Sequence, residues 1–330
     1  VQINRRDFLN LSAAFAVAGG VIAPLAARSA DQMTVRYGGS AWLGHYPAYL
    51  AMAQDYFKET GINQEWESFG TSSSRMSALM SGGVDIACTG VVSALALMAR
   101  GAKQFSIIAI PENFGRVEGI VVQEGIRSVQ DLKGKKLGVT FASSAHLLVL
   151  DVLAQAGLTE NDVTVLNVPA PELPAAMKAG QIDAAAAWTP QFNAILKQPG
   201  VTLLADDTHF RLYQSHKVTP GPDVLVVSKT FASENPDTVK AYVKAYFRAN
   251  EILRDRPDEA AVPLMKLTNL SKEDQITVIK GADWFTQNQQ NEILKGAYIE
   301  GLQKLAELLV EHKQIDTAPV VADWIDASFI

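Results

Sequence analysis

Cysteine is almost absent: Cys88 is the single example in 330 residues. It lies inside the apolar run VDIACTG, so it can form neither an internal disulfide nor a cysteine-based metal site, and it reads as a small core residue. No cluster of Lys and Arg stands out and the formal net charge is −6, which argues against nucleic acid or an anionic membrane surface as a partner. The phosphate loop GxxxxGKS/T is missing, and no GxGxxG follows a strand-like run. GxSxG, HExxH and CxxC are missing too. The five histidines (His45, His146, His209, His216, His312) include no i,i+4 pair with a carboxylate between them, so each reads as a surface or hydrogen-bonded histidine. Catalysis therefore has no sequence signature, and neither metal nor cofactor is expected.

What is present is an ordinary globular composition, 48% hydrophobic and 19% charged. A chain this long is expected to form two lobes. At the N-terminus, NRRDFLN is followed by LSAAFAVAGGVIAPLAARSA: two arginines, an apolar stretch, then small residues. That is the layout of an export signal over residues 1–30. Arg5 and Arg6 ahead of Phe8 and Leu9 resemble a twin-arginine signal, with Asn4 where Ser or Thr is usual. Gly19, Gly20 and Pro24 interrupt the stretch, leaving too short a run to span a hydrocarbon core of ~30 Å. Cleavage near Ala27-Arg28-Ser29, rather than a retained anchor, is expected. No cysteine follows that could take a lipid. The mature protein is expected to be soluble and periplasmic.

From Met33 onward short apolar runs alternate with amphipathic ones. MTVRYGG, INQEWESFG, VDIACTG and FSIIAIPE read as strands, separated by the helical runs YPAYLAMAQDYFKETG, SSRMSALMSGG and VVSALALMARG. The pattern restarts after roughly residue 116. VEGIVV, KKLGVTF, VTVLNV, DAAAAW and VTLLAD read as strands; a helix follows FASSAH, and PELPAAMKAG and QFNAILKQ read as helices. Such alternation predicts an α/β fold with parallel sheets covered on both faces, whose ligands sit beyond the carboxyl ends of the strands. One more strand, DVLVVS, precedes a tail from about residue 235 that is helical throughout and must bury its apolar stripes.

The stretches LKGKKLGVTFASSAHLLVLDVLAQAGL and VTVLNVPAPELPAAMKAGQIDAAAAWTPQFNAI resemble the nitrate/sulfonate/taurine family of ABC-transporter substrate-binding proteins, in its taurine-binding branch. MSALMSGGVDIACTG and the ending ADWFTQNQQNEILKGAYIEGLQKLAELLVEHKQI carry the same resemblance. The resemblance implies a two-lobed periplasmic binding protein-like type II fold, each lobe a mainly parallel sheet with helices on both faces, plus a helical C-terminal tail. Lobe one would be residues 31–115 with 224–330, and lobe two residues 116–223. It further implies a monomeric receptor, not an enzyme, that captures taurine or a related small sulfonate between the lobes and delivers it to a membrane ABC permease. The alternative is a receptor for an amine-free alkanesulfonate or for nitrate. A pyrimidine-precursor protein of the thiamine-biosynthesis type shares the fold, but its cysteine-rich motif is not here.

The candidate site residues follow from the strand-to-helix junctions and from this resemblance. In FASSAH, Ser143 and Ser144 open a helix whose free N–H groups and positive dipole end favour an anion; the other reading is that one of these serines simply caps the helix. Gly90 and Val91 make the same transition in the other lobe. The taurine branch tends to carry Ser-Ser after that glycine, so Val91 and Val92 leave only backbone donors there. Asp223 and Glu118 match acids of the branch at the two crossovers, as partners for an ammonium or as hinge polarity. Trp188 matches a tryptophan of the cleft wall, or is a core aromatic. Trp42 and Phe141 are further walls. His45 is either a wall or a helix cap.

Overall fold

The strand-like runs form strands in the expected order. The computed structural model describes residues 32–330, and the export signal expected over residues 1–30 lies outside them. The strands are β1 Met33–Gly39, β2 Ile62–Ser68, β3 Ile86–Gly90, β4 Phe105–Ala109, β5 Glu112–Phe114 and β6 Glu118–Gln123. They continue with β7 Lys136–Val139, β8 Thr164–Asn167, β9 Ala184–Trp188, β10 Val201–Asp206, β11 Asp223–Ser228 and β12 Ala282–Trp284. Two five-stranded sheets result, in the orders β2-β1-β3-β11-β4 and β10-β6-β9-β7-β8, with β5 and β12 as a separate pair. The short pair escapes sequence reading because three residues carry no periodicity.

Each sheet has four strands running one way and one reversed. β11 is antiparallel to both β3 and β4, and β6 is antiparallel to both β9 and β10. These are the two strands that begin straight after the chain passes from one sheet to the other. They enter at the edge where their neighbours end, so their first residues lie level with their neighbours' last ones. Asp223 pairs with Gly90, and Glu118 pairs with Trp188. Four predicted site residues reach one edge of the molecule by strand direction alone.

The first tail helix, Pro236–Asp255, buries Val239, Tyr242, Val243 and Tyr246 along one stripe. Tyr242 stacks on Phe57 with ring centroids 4.4 Å apart, and its hydroxyl donates to Gln64 Oε1 on β2 at 2.6 Å. At roughly 2 kcal/mol per buried apolar side chain, this stripe is a main fastening of the tail to the first sheet. The later helix Ala297–Glu311 instead packs against the helix Arg211–His216, where Gly301 leaves room for His216 and Val218. The helix expected over residues 46–61 is broken into Tyr46–Ala53 and Tyr56–Glu59, with Asp55 in the left-handed region at φ 58°.

The crossovers are tied by buried amides. Asn113 on β5 accepts from the Thr219 hydroxyl and from Tyr298, and donates to the Lys217 carbonyl, joining the outgoing crossover to the returning one. Gln290 is fully buried and mimics a strand neighbour for Ile110: its Oε1 accepts from the Ile110 N–H and its Nε2 donates to the Ile110 carbonyl, both at 2.9 Å. Gln290→Ala leaves both backbone groups buried without partners and is expected to cost about 2–4 kcal/mol in urea unfolding. A loss below about 1 kcal/mol would mean that water reaches Ile110.

Candidate functional site

Where the carboxyl edges of the two sheets face each other lies a cavity of about 520 Å³. Eight of the ten residues expected from sequence line it: Trp42, Gly90, Glu118, Phe141, Ser143, Ser144, Trp188 and Asp223. His45 and Val91 do not. His45 is fully buried with its Nδ1 on the Tyr37 hydroxyl at 2.9 Å, and it neither walls the cavity nor caps a helix with its side chain. Burial and the Arg75 charge push its pKa well below the usual imidazole value, so it is neutral. The Val91 N–H, expected as a ligand donor, instead donates to the Pro222 carbonyl at 2.9 Å. The returning crossover takes the amide that a ligand would have used.

Asp223 is 1% exposed. Its Oδ2 accepts from Trp42 Nε1 at 2.6 Å, and its backbone N–H donates to Glu112 Oε1 at 2.9 Å. Gly44 stands where any Cβ would lie 2.1 Å from Asp223 Oδ2, so only glycine permits this seat. Glu118 is built in the same way from the other sheet. Its backbone N–H donates to Asp207 Oδ2 at 2.8 Å, the Val117 N–H donates to the same oxygen at 3.1 Å, and its own carboxyl accepts from the Ser144 hydroxyl. Behind each cleft acid thus stands a second, fully buried acid holding the first amide of the strand. Glu112 and Asp207 were invisible in the sequence: one lies on a three-residue strand, the other in the turn after β10.

Burial raises all four carboxyl groups. Asp223 is pushed up to about 6, with the Trp42 N–H and the Arg75 charge pulling it back. Asp207 is pushed up to about 8 by burial, against the pull of the two amides it accepts. Glu112 is raised by burial and then by Asp223, and Glu118 by burial and then by Asp207. Of the Glu112–Asp223 pair, Asp223 is the one that ionises first, because it alone has the indole donor and the nearby guanidinium. Among the described residues none of the four carboxyl groups has a basic partner within 4 Å. Aromatic surface surrounds the acids: Trp42 meets Phe114 edge-on at 5.8 Å, Trp188 ends β9 opposite Glu118, and half-exposed Phe141 stacks on His146 at 4.8 Å.

At the serine junction the helix-cap reading is the one the structure shows. Ser143 is the N-cap of the helix Ser144–Gln155: its Oγ accepts from the His146 N–H at 3.1 Å and donates to the Thr140 carbonyl at 2.6 Å. Ser144 donates to Glu118. Both hydroxyl protons are committed inside the protein, and a carboxyl group stands beside the helix end. Sequence reasoning also missed Arg75, which lines the cavity while only 3% exposed. In SSSRMSALM it reads as the polar flank of a helix, with no signal that it is buried.

A family model described as NMT1/THI5 like matches residues 42–260. The taurine-binding periplasmic protein of Escherichia coli (strain K12) is 31% identical over 301 residues, 89% of this chain and 90% of that one. Among solved structures, the periplasmic aliphatic sulphonate binding protein of Escherichia coli aligns with a TM-score of 0.75 at 22% identity, over 89% of this chain and 92% of that chain. The alkanesulfonate-binding protein of Xanthomonas axonopodis pv. citri, bound to MOPS, aligns with a TM-score of 0.70 at 23% identity, over 90% of this chain and 99% of that chain. The two structures share this chain's fold, two mixed sheets with helices.

The four buried acids have a consequence for pH. A carboxyl group whose pKa is higher folded than unfolded binds more protons in the folded state, so its contribution is largest in acid and is lost as pH rises through the folded value. For Asp223 and Asp207 those values are about 6 and about 8. The ligand-free protein is expected to lose thermal stability, by a few degrees, from about pH 5 to about pH 8. Asp207→Asn fixes the neutral form and should flatten the upper part of that fall. Melting curves of both proteins across the window check this; parallel curves would show that Asp207 does not titrate there.

Proposed function

The chain belongs to the NMT1/THI5-like family, and on that premise we propose that it is the periplasmic solute-binding protein of an ABC importer, specific for a small aminosulfonate of the taurine type. Residues 32–115 with 223–330 form lobe one and residues 116–222 form lobe two, the return falling one residue earlier than expected because Asp223 already pairs with Gly90 in the first sheet. The lobes close on the ligand as hinged halves and present it to a membrane permease. The protein acts as a monomeric carrier and not as a catalyst, a reading supported by the relatives named as binding proteins.

The observation that carries this reading is Asp223. It is a buried carboxylate in the cavity wall, favoured in its charged form by an indole N–H, with no protein cation paired to it. An ammonium group on the ligand supplies the missing partner. Trp42 and Trp188 line the same cavity, and aromatic rings there would attract a cation further. Glu118 faces the same cavity from lobe two. A small anion without an amine, such as nitrate, would leave the Asp223 carboxylate without a partner. An aminosulfonate brings the ammonium that Asp223 lacks, together with an anionic head. The taurine-binding protein to which the chain is similar over 89% of its length supports the same substrate class.

A thermal-shift and calorimetry panel with taurine, ethanesulfonate, nitrate and sulfate tests it. Taurine at ~1,000 times its dissociation constant should stabilise the protein by about 4 kcal/mol, and ethanesulfonate should do much less. Asp223→Asn should weaken taurine about 30-fold or more while leaving ethanesulfonate unchanged. Equal binding of taurine and ethanesulfonate would remove the amine from recognition and leave a general sulfonate receptor. No response to either sulfonate would reject the substrate class.

A further inference from the structure

The cavity contains one basic side chain, and it comes from an unexpected place. Arg75 sits in the helix Ser72–Met80 that follows β2, where the aliphatic part of its side chain passes over Gly38 of β1; a Cβ there would lie 3.0 Å from Arg75 Cγ. Its Nε donates to the Cys88 carbonyl at 2.8 Å and its Nη2 to Ser72 Oγ at 3.1 Å. Those two bonds fix the guanidinium on the wall formed by the first sheet but leave further N–H donors, including those of Nη1, without a protein acceptor. At 3% exposure, and with no carboxylate within 4 Å among the described residues, this is a buried cation lacking its counter-ion. Such an arrangement is costly unless something outside the protein completes it. Around it the lining is made of Ser40, Thr71 and Ser72, small hydroxyl residues that crowd nothing.

We propose that Arg75 is the anion-binding residue of this cleft: it receives the sulfonate of the ligand, or another small oxyanion head, on the lobe-one wall while Asp223 takes the ammonium. The ligand's identity here rests on the aminosulfonate reading, whereas the oxyanion subsite stands on Arg75 itself. The alternative location, the helix end at Ser143 and Ser144, has already spent both hydroxyl protons on Thr140 and Glu118. It also presents the Glu118 carboxyl group to any incoming anion. A guanidinium is suited to the task because its planar fork matches two oxygens of an oxyanion at once. Arg75 and Asp223 are both carried by elements of the first sheet, so one lobe engages both charges of a zwitterion. Lobe two then covers the ligand with Trp188, Phe141 and Glu118. The cleft becomes a charge-orienting site with a defined direction, in which a ligand of reversed polarity would place like charges together.

The test compares wild type with Arg75→Gln and Arg75→Lys, using taurine and inorganic sulfate as probes and the ligand-free melting temperature as a control. The expected result is that Gln weakens taurine binding about 30-fold or more and abolishes whatever specific response sulfate gives in wild type, with Lys intermediate. A purely structural Arg75, holding the helix to β3 through the Cys88 carbonyl, would lower the ligand-free melting temperature in both variants and leave affinity unchanged; that outcome overturns the proposal. If wild type binds taurine and Gln binds it equally well, the anchor lies elsewhere and the proposal fails while the aminosulfonate reading survives. If taurine is not bound but sulfate is, and only when Arg75 is present, the substrate reading fails and the anion subsite stands. A wild-type protein that answers to neither probe overturns both.

Discussion

Two backbone amides organise this cleft. The chain must leave one sheet, enter the other and come back, and each new strand begins where no earlier neighbour is waiting for its first N–H. A buried acid meets each: Glu112 accepts from Asp223, and Asp207 accepts from Glu118. An unpaired buried N–H costs about 1–3 kcal/mol, so these contacts secure the starting points of β11 and β6. Once those points are set, strand direction places Asp223 beside Gly90 and Glu118 beside Trp188, at the edge where the helices' N-termini also gather. The cleft acids are thus products of the crossover geometry and not decorations of a finished fold.

The same geometry sets the charge pattern. Burying four carboxyl groups within two crossovers is tolerable because they do not all ionise. Glu112 and Asp207 have raised pKa values and serve as acceptors for backbone N–H groups. Asp223 receives the indole of Trp42 and the field of Arg75, so it is the group best placed to carry charge at neutral pH. Two glycines make this possible at close quarters. Gly44 leaves room for the Asp223 carboxylate, and Gly221 lets the returning chain pass Ser144, where a Cβ would come within 2.5 Å. Either position with a side chain would move a cleft acid or its partner.

How much of this was legible in the sequence depended on whether a residue's role follows from its local context. Asp223 begins an apolar run and Glu118 begins another, so the strand ends could be located, while the family resemblance is what assigned the two acids to the site. Trp42 and Trp188 fall at junctions that any α/β reading places near the site. Arg75 follows four small hydroxyl residues in TSSSRM, a context that reads as a solvated helix start, and only the approach of β1 and β3 buries it. His45 failed in the opposite sense: its loop is at the site, but its ring turns inward to Tyr37. The cap reading of Ser143 holds, whereas the protons of Val91 and Ser144 go to acceptors at Pro222 and Glu118, on segments remote in sequence that spacing does not encode.

The contacts that organise the cleft also indicate what can move. Trp42 to Asp223 and Arg75 to Cys88 lie within the first sheet's half, and Ser144 to Glu118 and Asp207 to Glu118 within the second's. Each half of the site is therefore complete by itself and need not be remade when the halves approach. What joins them is the pair of crossovers, braced by Asn113 on Lys217 and Thr219, the packing of the helix Ala297–Glu311 on Arg211–His216, and the ion pair of Lys197 with Asp274 at 2.5 Å. That ion pair is largely exposed, and such pairs contribute about 1 kcal/mol or less, so it is the weakest of these ties. On the proposed reading, a ligand that neutralises Asp223 and Arg75 together would add to the stability of the closed form. A ligand with one charge satisfies one of these groups and leaves the other buried charge unpaired, so closure would be favoured chiefly by a zwitterion. On that reading selectivity and closure would have the same physical origin: two opposite charges that line one cavity without forming a salt bridge.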